Sequence, residues 1–304
     1  MNLLNSTYNG IQGVHLLDSG KAGPTVGISA CTHGGEHAGL RVINHLVDDF
    51  GIAQKLVCGK IFLILTNIQA YELSLQTSHP ADARFVDENL NRCCTEENLL
   101  TGTSYEANRA RELEPILANL EYHLDIHSTY SKSQAVGIIT EKGKERMGAV
   151  MNVDVVFENL TQVQIGRPFI DITERHGGVG IGLEAGWEED EAGFRIGVEN
   201  SLRLLSDLKL LEDSSVDSNQ YPIKENKKIF VYGSVVPKGK NFQPARNFNH
   251  GNIVQKNEVI GQDDVGTHVA SEDSIIIMPS VPEKLRIILE KGQIEEFCFL
   301  GRIS

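Results

Sequence analysis

Ala30-Cys31-Thr32-His33-Gly34-Gly35-Glu36-His37-Ala38-Gly39 lies between an apolar run, Thr25 to Ser29, and an amphipathic one, Leu40 to Phe50. It marks the point where a strand hands over to a helix, which is where α/β proteins keep their chemistry. An imidazole and a carboxylate separated by two residues can both reach one metal ion, and the glycines between them let the backbone turn tightly. The pattern reads as half of a zinc site. The same letters also spell H-x-x-E-H, in which two histidines four apart on a helix bind zinc around a glutamate base. That geometry needs a regular helix through Gly34 and Gly35, each costing about 1 kcal/mol there relative to alanine. Glu36 is therefore read as a ligand and His37 as a bystander.

Outside this stretch, 304 residues with 40% apolar and 23% charged content suffice for one large core and a smaller appended module. A net charge of −13 argues against a nucleic-acid partner or an anionic membrane surface, so an acidic substrate would need a local cluster of arginines. Met1 to Ser6 has neither a basic region nor a sustained apolar core, and no later run approaches about 18 apolar residues. These features predict a cytoplasmic protein with no membrane partner. Five cysteines at irregular spacing read as reduced thiols. The Cys93-Cys94 pair lacks a matching pair for metal binding, and Cys31 reads as a small buried residue.

Taken in order, Thr25 to Cys31 reads as a buried strand, Leu40 to Phe50 as a helix and Lys60 to Thr66 as a second buried strand, implying a right-handed crossover and parallel pairing. A long polar connection follows, Leu75 to Thr103, carrying Arg84, Asn89, Asn91 and Arg92. Connections of that length inside a compact domain are usually functional or disordered, and this one is rich in specific polar types. Ser104 to Leu120 reads as a helix capped by Ser104, with Pro115 as a kink or break. In Tyr122-His123-Leu124-Asp125-Ile126-His127-Ser128 the alternation sets His123, Asp125 and His127 apart from Leu124 and Ile126. His127 would then project at the strand's C-terminal edge, beside the opening stretch. Strands are also predicted at Ala135 to Thr140, Val153 to Phe157 and Gly180 to Ala185, where Glu184 reads as a buried carboxylate in need of an explanation. A long helix is predicted over Ala192 to Leu211. The chain divides into residues 1–211, a polar linker at 212–228 and a β-rich C-terminal domain at 229–304.

Four blocks in this order, His33-Gly34-Gly35-Glu36, Arg84 with Asn89-Leu90-Asn91-Arg92, Asp125-Ile126-His127, and Gly182-Leu183-Glu184-Ala185-Gly186, resemble the succinylglutamate desuccinylase/aspartoacylase family of zinc-carboxypeptidase-like hydrolases. The resemblance covers roughly residues 25 to 211. It implies an α/β fold with a mixed, largely parallel sheet flanked by helices, followed by a small β-rich C-terminal domain. It also implies one Zn2+ per chain held by His33, Glu36 and His127, with one coordination position left for water, whose pKa the ion would lower to about 7. Glu184 would be the general base, Arg84 would stabilise the oxyanion, and Asn91 and Arg92 would hold the substrate's α-carboxylate. Arg175 lies shortly before Glu184 and is carried over as a further substrate contact; Asp125, on the same side as His127, reads equally as an acceptor that orients a histidine or as a plain sheet-face residue.

The implied reaction is hydrolysis of the amide of a small anionic N-acyl amino acid, by a chain compatible with a homo-oligomer. Two other readings use the same residues: a metallocarboxypeptidase acting on peptides, and a binding protein that keeps the fold without the chemistry. The acyl group is set by pocket side chains that the motifs do not identify. Taken singly, each block also has a structural explanation, since a histidine at a strand end is more often a hydrogen-bonded group than a ligand.

Overall fold

A computed structural model of the protein describes residues 2–130, 132–140, 142–143, 151–212, 225, 227–238, 241–280, 286, 290 and 292–303. The stretch read as linker, 212–228, lies for the most part outside them. Backbone contacts divide the chain into two units, residues 1–156 with 166–226, and residues 157–165 with 227–304. The stretch 157–165 thus groups with the C-terminal strands and not with the residues on either side of it in sequence.

The first unit is built on a mixed sheet. Its strands are β1 (Val14–Asp18), β2 (Thr25–Ala30), β3 (Lys60–Leu65), β4 (Tyr122–Thr129), β5 (Val136–Ile139) and β6 (Val179–Trp187), arranged in the order β5-β6-β4-β2-β3-β1. The central strands β3, β2, β4 and β6 run parallel, while β1 pairs with β3 and β5 with β6 antiparallel. Parallel strands covered on both faces carry nearly continuous apolar runs, as Lys60-Ile61-Phe62-Leu63-Ile64-Leu65 does. Its side chains alternate between two cores. Ile61, Leu63 and Leu65 pack with Val42, Ile43 and Leu46 of helix α1 (Ala38–Asp48) and with residues of the long helix Glu191–Asp207. Phe62 and Ile64 pack with Leu113, Ile116 and Leu117 of the helix Tyr105–Leu117 and with Phe169.

Three local expectations give way to tertiary structure. The segment before Thr25, where the sequence reading placed no strand, supplies edge strand β1 through its pairing with β3. The stretch 75–103 is not one open connection: it holds a 3-10 turn at Pro80–Ala83 and short helices at Leu90–Cys93 and Glu96–Thr101, the latter two capped by the side chains of Asn89 and Thr95. The helix read from Ser104 begins there, with Ser104 as its cap, but runs through Pro115 and ends at Leu117. The second unit has antiparallel pairing, with Cys298–Ile303 between Lys227–Val235 and Ser274–Ile277, around Val235, Val254, Ile276 and Leu300.

The turn after β2 is packed at backbone contact. A Cβ on Gly34 would lie 2.2 Å from the carbonyl carbon and oxygen of Ala70 and 2.5 Å from the carbonyl oxygen of Ala83, and none of these can rotate away. Gly34→Ala is expected to lower unfolding stability by about 3 kcal/mol, read from the shift of the urea midpoint at constant slope.

Candidate active site

Parallel pairing of β2, β4 and β6 brings their C-terminal ends to one edge of the sheet. The turn after β2 carries His33 and Glu36, the third position from the end of β4 is occupied by His127, and Glu184 on β6 is His127's cross-strand partner. Helix α1 begins only at Ala38, so Gly34 and Gly35 lie in a turn and the helical H-x-x-E-H arrangement is absent. His37 points into the scaffold: its Nε2 lies 3.0 Å from the Gly34 carbonyl and 2.6 Å from Ser74 Oγ, and its ring packs edge-on against Tyr71.

His33, Glu36 and His127 are buried together, with ligand atoms within 4.8 Å of one another. Among the described residues they are the one group of three or more His, Cys, Asp or Glu side chains placed to share a metal ion. Their outer contacts determine which atoms face inward. Asn89 Oδ1 accepts from the Asn91 amide at 2.9 Å, which identifies it as oxygen, and it lies 3.0 Å from His33 Nε2. Nε2 therefore carries the proton, and His33 Nδ1 presents its lone pair to the cluster. Nδ1 is 2.8 Å from Glu36 Oε1 but has no aligned hydrogen bond, an orphaned buried nitrogen of the kind a metal ion satisfies. His127 is held in the same sense: its Nε2 donates to Asp125 Oδ2 at 2.8 Å, and its Nδ1 lies 2.9 Å from Glu36 Oε2.

Asp125 is fully buried and is itself anchored by Ser29 Oγ at 2.6 Å and Thr32 Oγ1 at 2.9 Å. His123, two positions earlier on the same side of β4, joins this network through Ser29 Oγ at 2.8 Å. Behind Glu36, Ser128 Oγ donates to Glu188, which also accepts from the Ala38 amide at the start of α1 at 3.0 Å.

The electrostatics follow from burial and pairing. Burial alone would raise the pKa of Glu36, but the close approach of His33 and His127, the latter hydrogen-bonded to it, outweighs burial and holds the carboxyl well below the usual range. For His33, burial and the Arg84 charge bring the pKa down to about 4, favouring the neutral ring that ligation needs. His127 is the reverse case: burial opposes its charge, yet Asp125 and Glu36 overcome that and raise its pKa well above the ordinary value.

The remaining sequence-predicted residues fall into two groups. Arg84, 5% exposed, sets Nη1 3.2 Å from Glu36 Oε1 and so stands at the edge of the cluster. Glu184 is in register with His127, but it is partly exposed where the sequence pattern predicts burial. Asn91 and Arg92 occupy the short helix Leu90–Cys93. Asn91 Oδ1 accepts from the Phe169 amide at 2.9 Å, and the Arg92 carbonyl accepts from the Arg167 amide at 2.9 Å. Arg175 ends the helix Ile170–Arg175, pairs with Asp171 at 3.2 Å and donates to the Cys94 carbonyl at 2.6 Å. Its bonds tie its own helix to the loop, and none of them reaches His33, Glu36 or His127.

Asn89 is a site residue that the sequence reading quoted without assigning a role, since no spacing rule links positions 89 and 33. The Asp125–His127 contact had a signal, two positions on one side of a strand.

With this geometry in view, residues 22–162 match the family model of the succinylglutamate desuccinylase/aspartoacylase catalytic domain. Over these residues the chain is similar to that family's catalytic domain. Among solved structures, it resembles succinylglutamate desuccinylase/aspartoacylase from Rhodobacter sphaeroides at 18% identity, with 93% of this chain and 87% of that one covered and a TM-score of 0.60. Succinylglutamate desuccinylase from Vibrio cholerae aligns at 16% identity over 93% of this chain and 82% of that one, with a TM-score of 0.69. The ectoine utilization protein EutE (DoeB) from Ruegeria pomeroyi aligns at 15% identity over 96% and 88%, with a TM-score of 0.65. At these identities the likeness speaks for the fold alone. No curated protein matches the sequence.

Two outcomes follow for metal binding. His37→Ala should keep full metal uptake while His33→Ala reduces it at least tenfold, as read by chelator competition. Because His127 has a raised pKa, ligation through its Nδ1 must displace a proton, so affinity should climb with pH up to that raised value, with about one proton released per ion near neutrality. Calorimetry in buffers of different ionisation enthalpy reads the proton directly. In the metal-free protein the same shift has the opposite consequence: the stability that charged His127 contributes is complete below the unfolded histidine pKa and fades as pH rises through the raised one.

Proposed function

We propose that the chain is a zinc-dependent hydrolase that cleaves the amide bond of a small N-acyl amino acid. The observation that carries this reading is the pairing of Glu184 with His127 in register, at the rim of a buried His-Glu-His group whose two histidines both turn Nδ1 inward. His33, Glu36 and His127 would hold the ion. When bound, the ion supplies Lewis acidity toward the scissile carbonyl and makes a water more acidic.

The chain's own groups do the rest. Glu184 accepts a proton as the water oxygen bonds to the carbonyl carbon, then returns it to the amine nitrogen as the C–N bond breaks, giving a carboxylate and an amine. Its partly exposed position leaves room for both transfers. Arg84, a charged donor beside the cluster, stabilises the oxygen as it becomes negative. Arg92, with Asn91, holds the α-carboxylate, so a local positive field recruits an anion to a protein whose net charge is −13. Arg175 remains a candidate contact only if substrate binding draws it from Asp171, an exchange of one carboxylate partner for another.

A panel of N-acetyl and N-succinyl derivatives of aspartate and glutamate, set beside peptides with free C-termini, tests the substrate class. Turnover confined to the peptides would overturn the deacylase reading in favour of a carboxypeptidase. Glu184→Gln should lower kcat by about 10²–10⁴-fold with bound zinc unchanged, and undiminished turnover would remove Glu184 from the mechanism.

A further inference from the structure

We infer that Glu106, a residue with no place in the mechanism above, is a positioning residue that fixes the substrate loop onto the metal-binding turn. The inference rests on the roles proposed for Arg84 and its neighbours.

Glu106 lies in the first turn of the helix Tyr105–Leu117 and is fully buried. A glutamate is seldom so placed unless its oxygens are fully engaged. Here four donors converge on it. Oε1 accepts from the Val86 amide at 2.6 Å and from Asn67 Nδ2 at 3.2 Å, and Oε2 accepts from the amides of Asp87 at 3.1 Å and Glu88 at 3.2 Å. Three consecutive backbone N–H groups turned toward one point form a concave anion site. In this chain the anion is supplied from within.

The loop answers in kind. Asp87 Oδ2 accepts from the Tyr105 amide at 2.7 Å, and Ser104 Oγ donates to Glu88, so carboxylates of the loop engage the helix start while Glu106 engages the loop backbone. Both sides of the held segment carry site residues: Arg84 lies two positions before Val86, and Asn89, the partner of His33, follows Glu88 directly. Asn67 extends the link to the other half of the site, because its own amide donates to the Cys31 carbonyl at 3.1 Å while its side chain reaches Glu106. The Gly34 amide in turn donates to the Arg84 carbonyl at 3.2 Å. One carboxylate thus joins the end of β2, the end of β3 and the loop bearing Arg84.

An acid in a first helical turn also interacts favourably with the helix dipole. A role limited to that would make its removal cost the same whatever stands at position 84, whereas a positioning role makes the cost depend on Arg84. The test is a double-mutant cycle in zinc-loaded protein, using the best substrate of the acyl amino acid panel. Glu106→Gln keeps the size but turns an amide donor toward the loop N–H groups. It should lower kcat/KM about 100-fold with zinc content unchanged, and should cost less than about threefold on an Arg84→Ala background. Undiminished kcat/KM, or equal cost on both backgrounds, would overturn the inference. Should Glu106→Gln fail to fold, Glu106→Asp, which keeps both acceptors on a shorter stem, carries the same cycle. If the parent protein turns over no acyl amino acid, it is the proposed function that fails. Amide exchange at Val86 to Glu88 then decides Glu106: exchange at least about tenfold faster in Glu106→Gln than in the parent supports it, and unchanged exchange overturns it.

Discussion

Burying the Glu36 carboxylate constrains everything around it. At 4% exposure it has left water, and an unpaired charge there would cost several kcal/mol. Two imidazoles and the Arg84 guanidinium surround it, delivered by three separate parts of the chain: the turn after β2, the end of β4 and the loop after Pro80–Ala83. Each partner is in turn held from behind, His33 by Asn89 and His127 by Asp125. The histidine rings are therefore fixed in orientation, which keeps both Nδ1 atoms aimed at one point.

The loop opposite the sheet edge follows a similar logic. It is long in sequence, yet its polar side chains are engaged with backbone: Asn89 caps the turn that bears Asn91 and Arg92, Asn91 holds Phe169, and Glu106 holds Val86 to Glu88. Such anchoring fixes the loop backbone, and with it the start points of the Arg84 and Arg92 side chains. The likeness of residues 22–162 to the desuccinylase/aspartoacylase catalytic domain spans this loop as well as the positions of His33, Glu36 and His127.

The central elements were legible because their signals are local. Thr25 to Cys31 and Lys60 to Thr66 read as strands from short apolar runs, and the helix after Gly39 from its periodicity; the structure places them at Thr25–Ala30, Lys60–Leu65 and Ala38–Asp48. Edge strand β1 was not legible, since it is made by pairing with β3. The partial exposure of Glu184 was also hidden, because its apolar, glycine-flanked neighbours describe the strand and not what covers each of its faces.

By itself the sequence determined the chemical inventory and its order: a histidine and a glutamate around two glycines, a loop of arginine and asparagine, and a histidine ending one strand in advance of a glutamate on another. Alternation along β4 also separated His123, Asp125 and His127 from the apolar positions. Tertiary structure alone decided that Glu184 stands beside His127, that Asn89 orients His33, that Arg175 bonds to Asp171 and Cys94, and that Glu106 grips the loop. The reason is physical: helical and strand periodicity are written within a few residues, whereas these contacts join positions separated by long stretches of chain and exist only once strand register and helix packing bring them within hydrogen-bonding distance.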